Sequence, residues 1–267
     1  MPTGLVDIGA NLGHSSFQPD LPAVLDRARA AGVGPIIVTG TSIRGSRQAL
    51  ELAKKHPGTL YATAGIHPHD AKDGVADDFI ELEELQNEAV VLAAGETGLD
   101  FNRNYSAPEI QVEVFEKQLL IACRTGLPAF LHQRDAHDVF FSLLKKYRHG
   151  LSNVVVHCFT GTAAELSNYL SLDCHIGITG WICDERRGRQ VKDLVRDIPL
   201  DRLMIETDAP YLLPRDIRPK PKNRRNEPAH LKHIAEVIAT DCFGMAYDEL
   251  VERLARTSRL FFSLRSF

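Results

Sequence analysis

Eight short apolar runs recur along the chain, at residues 5–6, 36–38, 60–66, 90–94, 129–131, 154–156, 175–178 and 203–205. Such runs, rich in Val and Ile, read as strands buried on both faces of a sheet. Between most of them lie helical patterns. Residues 21–31 place Leu21, Val24, Leu25 and Ala28 on one stripe, the i, i+3, i+4, i+7 spacing of an amphipathic helix. Residues 110–122 carry Val114, Leu119, Ile121 and Ala122 on similar spacing, and 135–147, 165–172, 190–198, 228–239 and 247–255 also suit helices. Gly32, Gly126 and Gly150 fall where helices end on glycine. Strands that alternate with helices demand right-handed crossovers and a parallel sheet. Eight such units in 267 residues predict an α/β fold, the closed (β/α)₈ TIM barrel. The rival open sheet lacks its mark, because no G-x-G-x-x-G follows the first run. No repeat, low-complexity tract or long linker divides the chain, so residues 1–267 are expected to form a single domain.

Composition narrows the class. The hydrophobic fraction of 44% and charged fraction of 25% are those of a soluble globular protein with a sizeable core. A net charge of −4 excludes a polycation that coats nucleic acid, so a polyanion partner must be held by a local patch or by metal ions. The five cysteines (Cys123, Cys158, Cys174, Cys183 and Cys242) are odd in number and none are at C-x-x-C spacing. Reduced thiols in the cytoplasm are therefore expected, not a disulfide scaffold or a cysteine zinc site. Residues 1–11 show no basic segment followed by an apolar one, and no run is long enough to span a membrane.

The polar residues cluster where the apolar runs end. Asp7, Gly9 and Asn11 follow the first, and His67, Pro68, His69 and Asp70 the third. Gly95, Glu96, Thr97, Gly98, Leu99 and Asp100 close the fourth; His132, Arg134 and Asp135 close the fifth, and His157 and Cys158 the sixth. Glu206 and Asp208 end the eighth, just before Pro210. A carboxylate at the tip of a buried strand is costly without a cationic partner. A pair such as Glu206 and Asp208 alone reads equally as a structural ion pair. In a parallel barrel, however, all these ends share the face that carries the active site. Glu96, His132, His157 and Asp208 on one rim form a mixed N/O donor set. That chemistry suits Mg²⁺, Mn²⁺ or Zn²⁺ and metal-assisted hydrolysis.

Seven motifs in order carry a resemblance. They are Gly65-Ile66-His67-Pro68-His69, Gly95-Glu96-Thr97-Gly98-Leu99-Asp100-Phe101, His132-Gln133-Arg134-Asp135-Ala136, His157-Cys158-Phe159-Thr160-Gly161, Gly177-Ile178-Thr179-Gly180-Trp181, Glu206-Thr207-Asp208-Ala209-Pro210-Tyr211-Leu212 and Arg224-Arg225-Asn226-Glu227-Pro228. From Val6 to the C-terminus the chain resembles the TatD-type metal-dependent deoxyribonucleases of the amidohydrolase superfamily. The resemblance implies Glu96, His132 and His157 as metal ligands, and Asp208 as ligand, general base or both. Glu96 and Asp208 would be the catalytic pair, with His67 and His69 contacting substrate. It further implies a cytoplasmic, Mg²⁺-dependent 3′→5′ exonuclease on single-stranded DNA and RNA, monomeric and connected with DNA repair. One departure from the wider family is evident. Most relatives carry His-x-His at the end of the first strand, where this chain has Gly9 and Asn11. The loss removes two imidazoles and weakens the case for zinc; Asn11 is the substitution associated with the TatD branch itself.

A nuclease of net negative charge needs a cationic surface. Arg215, Arg218, Lys220, Lys222, Arg224 and Arg225 follow the eighth run, stiffened by Pro214, Pro219 and Pro221. Arg186, Arg187 and Arg189 add to it, offset by Asp184 and Glu185. Arg134 is read either as a phosphate contact or as a partner of Asp135 or Asp138. Arg225 is read either as a substrate contact or as part of a helix start before Pro228. Trp181, Phe159 and Tyr211 are placed to stack on unpaired bases, with a packing role equally open for Phe159. Two other classes compete. One is hydrolysis of another bond, such as a D-aminoacyl-tRNA ester, which the basic loop does not exclude. The other is a non-catalytic nucleic-acid-binding barrel, which predicts eroded ligands.

Overall fold

The computed structural model describes residues 4–186 and 188–264; Arg187, counted above in the basic surface, lies outside them. The strands are β1 (Leu5–Ala10), β2 (Val33–Val38), β3 (Leu60–Ala64), β4 (Val91–Asp100), β5 (Ala129–Arg134), β6 (Val154–Val156), β7 (His175–Ile178) and β8 (Leu203–Ile205). The helices are α1 (Leu21–Ala30), α2 (Ile43–Lys55), α3 (Ala76–Gln86), α4 (Pro108–Thr125), α5 (His137–Tyr147), α6 (Ala163–Ser171), α7 (Arg189–Val195), α8 (Leu231–Val237) and α9 (Tyr247–Phe261). Neighbouring strands pair in parallel in the order β1 to β8. Backbone bonds close the circle just beyond β8: the Asp208 N–H donates to the Gly9 carbonyl at 2.8 Å, and the Asn11 N–H to that of Ala209 at 2.6 Å. This is the (β/α)₈ TIM barrel that the alternation predicts. Among the described residues, no helix is long and apolar enough to cross a membrane.

A buried carboxylate completes the seam. Asp7 accepts from the Thr207 N–H at 2.9 Å and from the Thr207 hydroxyl at 2.5 Å, so β1 and the end of β8 are joined by a side chain as well as by backbone.

Two apolar layers follow from strands buried on both faces. Val6, Ile8, Ile37, Ala93, Phe130, Val155 and Met204 fill the barrel interior, and Phe261, Phe262 and Leu264 from the end of the chain pack against them. The outer layer joins sheet to helices. The inner layer also sets the site. Side chains two residues apart point to the same face of a strand. Phe130 and Val155 point inward, so His132 and His157 do as well, one step nearer the rim. Met204 places Glu206 in the same way.

The sequence pattern leaves out α2 and α3. The buried face of α2 is made of Ser46, Ala49, Leu50 and Ala53, and that of α3 of Leu82, Leu85 and Gln86. Small or polar residues at packed positions hide the helical stripe. Gly126 ends α4 in the left-handed region as expected (φ +71°). Gly150 instead belongs to a 3₁₀ turn and has no positive φ. Residues 228–239 form a 3₁₀ turn, then α8, then the start of a π-helical turn, not one helix.

Gly98, at φ +149°, lets β4 approach the strand that carries His132: a Cβ there would lie 1.8 Å from the His132 carbonyl oxygen. The expected result of Gly98→Ala is a loss of more than about 2 kcal/mol of stability by thermal or urea denaturation, since backbone cannot yield as a side-chain tip does.

Asp7 gives a pH signature. Burial pushes its carboxyl up to about 8, against the lowering effect of the Thr207 bonds. Its value in the unfolded chain is about 4. Between about pH 4 and about pH 8 the folded state therefore holds a proton that the unfolded state has released. Stability should fall as pH rises through that window, by up to about 1.4 kcal/mol per pH unit from this group. Asp7→Asn should flatten that part of the slope in denaturation series at about pH 5 and about pH 8.

Candidate active site

The C-terminal strand ends surround a cavity of about 740 Å³. At its base lies the carboxylate of Glu96, near the middle of β4 and only 5% exposed. Its Oε1 is 2.7 Å from His157 Nε2, 3.2 Å from His132 Nδ1 and 3.3 Å from His67 Nε2. Such a carboxylate, desolvated alone, would take up a proton. Here burial is outweighed by His157, His67 and His132, which hold Glu96 well below the usual carboxylate range.

The imidazoles are themselves oriented. His157 donates from Nε2 to Glu96 and from Nδ1 to Glu206 Oε2 at 3.3 Å. Between two carboxylates its pKa stands well above the ordinary value although burial opposes this. Glu206, fully buried, also accepts from the Cys158 N–H at 2.7 Å, which fixes the end of β6. His132 reaches from Glu96 toward Asp100, with its Nε2 3.7 Å from Asp100 Oδ2. The Asp100 and Glu96 contacts raise His132 despite burial, whereas burial lowers His67. Asp100 also takes a 2.8 Å contact from His69 Nε2 and accepts from the Asn102 and Arg103 N–H groups.

Asp208 lies just beyond β8, partly accessible, with its backbone in the left-handed region (φ +52°). That conformation is uncommon outside glycine and is held by the bond from its N–H to Gly9. Asn11 Nδ2 donates to Asp208 Oδ1 at 2.9 Å. Burial and the nearby Glu96 push the Asp208 carboxyl up to about 7. The missing His-x-His pair now has a physical account. A Cβ at Gly9 would meet Glu206 Oε2 at 2.5 Å, and Asn11 is engaged with Asp208.

The donors fit a divalent ion. One donor atom each from His67, Glu96 and His132 lies within 4.8 Å of the other two. His132 Nε2 is buried with no hydrogen-bond partner. His157 and Asp208 border the same cavity. The grouping differs from the expected set: His67 joins Glu96 and His132 in it, while His157 and Asp208 border the same cavity outside that trio. His67, expected to contact substrate, stands among the metal-type donors, because the turn after β3 brings it beside Glu96. His69 sits further out, between Asp100 and the ring of Tyr105 at 4.7 Å.

The cationic residues are partly redistributed. Arg134 is exposed, lines the cavity and makes no ion pair among the described residues; Lys72 and Arg103 line it too. Neither Lys72 nor Arg103 was marked by any motif, and only a run of basic residues around the cavity loops could have hinted at them. Exposed Arg215, Arg218, Lys220, Lys222 and Arg224 lie outside the cavity wall, although Tyr211 and Leu212 at the root of their loop form part of it. Arg225 does not line the cavity. Its side chain is 9% exposed, binds Asp20 Oδ1 and Oδ2 at 2.8 and 2.7 Å and Glu227 at 2.7 Å, contacts the Ser16 carbonyl, and lies over the Phe17 ring. Two carboxylates and an aromatic face draw the guanidinium inward. Trp181 packs against the outer core and Phe159 against Tyr169; neither lines the cavity. The exposed rings on its wall are Tyr105 and Tyr211.

A parallel barrel with a buried carboxylate ringed by imidazoles at its C-terminal mouth defines a metal-dependent hydrolase. The sequence profile of the TatD related DNase family matches residues 6–263, and the chain belongs to that family. It is 48% identical over 260 residues to a 3′-5′ ssDNA/RNA exonuclease TatD of Erwinia amylovora, covering 97% of this chain and all of that one. It is 53% identical over 235 residues to a protein of the same description from Edwardsiella piscicida, covering 88% and 90% of the two chains. Among solved structures, a TatD homolog of Escherichia coli K12 superposes with a TM-score of 0.89 at 29% identity, over 99% of this chain and all of the other.

Two arginines separate structure from binding. Arg225→Ala should cost about 2 kcal/mol of stability while leaving the salt dependence of oligonucleotide binding unchanged. Arg134→Ala should leave the melting temperature alone and lower the slope of log affinity against log salt by about 0.7, the share of one phosphate contact on a single strand. Thermal melts and binding titrations at several salt concentrations read both.

Proposed function

We propose that the protein is a divalent-metal-dependent 3′→5′ exonuclease acting on single-stranded DNA and RNA. In this reading it works in the cytoplasm as a monomer with one catalytic domain over residues 1–267, uses Mg²⁺ and serves DNA repair. The observation that carries the reading is the convergence of His67, His132 and His157 on Glu96, next to Asp208. The activity named for relatives near half identity supports the substrate and the polarity.

The roles follow from the contacts. Glu96, His67, His132 and His157 would hold the ion, and Asp208 stands on the same cavity wall. A divalent ion there supplies Lewis acidity toward a phosphoryl oxygen and makes water more acidic. Asp208, pushed up to about 7, is poised to take a proton from an attacking water at neutral pH. Asn11 aims it through the 2.9 Å bond. Glu206 positions His157 and does not touch substrate. Lys72, Arg103, Arg134 and His69 hold phosphates around the scissile bond, and Tyr105 and Tyr211 offer faces for unpaired bases. Arg224 and the exposed basic residues before it extend the path along the departing strand.

The test is digestion of 5′-labelled single-stranded DNA and RNA. A stepwise ladder with Mg²⁺, none with EDTA, and protection by a 3′ block are expected. Endonucleolytic fragments, or protection by a 5′ block instead, would overturn the polarity. Asp208→Asn should lower the rate by at least about 100-fold at saturating Mg²⁺ with little change in melting temperature. An Asp208→Asn variant of near wild-type rate would remove Asp208 from proton transfer.

A further inference from the structure

A second cluster of metal-type donors lies away from the cavity. Cys183 ends the 3₁₀ turn that follows β7. Asp216 belongs to the loop after β8, and His233 to α8. One donor atom from each (a sulfur, a carboxylate oxygen and an imidazole nitrogen) lies within 4.8 Å of the other two. None of the three residues lines the cavity around Glu96. His233 Nε2 is 2.8 Å from Asp216 Oδ1, while its Nδ1 faces Glu236 Oε2 at 3.9 Å. Cys183 is buried, and Asp216 and His233 are half-buried, which leaves a way in for an ion.

Donor chemistry selects that ion. Sulfur, nitrogen and oxygen together suit Zn²⁺, which accepts three protein ligands and a water. Mg²⁺ is a hard cation that avoids a thiolate ligand, so the ion proposed for the catalytic centre does not compete here. A nucleophilic Cys-His-Asp role does not fit. Burial and the Asp216 carboxylate push the Cys183 thiol up, which leaves a neutral sulfur under no substrate cavity.

We propose that Cys183, Asp216 and His233 form a Zn²⁺ site that ties the loop after β8 to the turn after β7 and to α8. On binding, the thiol proton passes to solvent, the sulfur becomes a thiolate ligand, and nothing is oxidised or reduced. The consequence concerns the basic loop. Asp216 stands between Arg215 and Arg218, ahead of Lys220 and Lys222. An ion on Asp216 anchors this segment and cancels its negative charge, which pre-organises the cationic surface for a polyanion. That consequence rests on the nuclease reading; the metal site itself does not.

Co²⁺ tests the site, because a thiolate ligand gives it a near-ultraviolet charge-transfer band that histidine and carboxylate ligands lack. The purified protein, held in saturating Mg²⁺, is titrated with Co²⁺. The expected result is a saturable band that Zn²⁺ displaces. It should vanish in Cys183→Ser, weaken by more than about tenfold in apparent affinity in His233→Ala, and persist in Cys158→Ser, whose thiol lines the catalytic cavity. Zn²⁺ should also slow proteolysis within residues 214–222 in the wild type and not in His233→Ala. No band in the wild type, a band that survives Cys183→Ser, or one lost in Cys158→Ser overturns the proposal. Should Cys183→Ser fail to fold, the half-exposed His233 decides: unchanged Co²⁺ affinity in His233→Ala also overturns it. A failed exonuclease assay with the band intact would count against the nuclease reading alone.

Discussion

The buried carboxylate of Glu96 is the interaction on which the rest of the mouth depends. An ionised carboxylate taken out of water costs several kcal/mol unless it is paired. Here three imidazoles from three different strand ends converge on one of its oxygens. That arrangement works only if β3, β4, β5 and β6 keep their register. Folding of the barrel and assembly of the site are therefore one event. The same cost explains the outer ring of partners. Glu206 answers His157, Asp100 answers His132 and His69, and Asn11 answers Asp208.

The seam between the first and last strands joins stability to chemistry. Asp7 holds Thr207, and the next residue is Asp208, whose left-handed backbone is pinned to Gly9. Gly9 is small because Glu206 occupies the space a side chain would need. Glu206 in turn fixes His157 and the N–H of Cys158. A residue that looks like a lost ligand thus makes room for a carboxylate that orients a retained one. Loss of the His-x-His pair changes how the first strand contributes. It now aims a carboxylate through Asn11 instead of supplying imidazoles.

The strand-end residues are legible in the sequence because each apolar run and the polar residues that close it are neighbours along the chain. That Phe130 and Val155 face inward, and His132 and His157 with them, comes from the barrel. Helices α2 and α3 were not legible because their packed faces use Ser46, Ala49 and Gln86, which hydrophobic periodicity does not register. The sequence leaves Arg225 between a substrate contact and a helix start. Its role depends on Asp20 and Phe17, some two hundred residues away in sequence, and on Glu227 beside it. Lys72, Arg103 and Tyr105 carried no motif, since a place on the cavity wall comes from loop geometry and not from residue type.

By itself, the sequence determined the order of strands and helices, the parallel barrel they imply, and the polar residues that stand at the strand tips. These depend on periodicity and on nearest neighbours along the chain. Tertiary structure alone decided which imidazoles share Glu96, that Arg225 turns inward, and that Cys183, Asp216 and His233 come together across three segments. Such choices are settled by desolvation. Each buried charge or donor takes the partner that barrel closure brings within a few ångströms, and chain spacing carries no record of that distance.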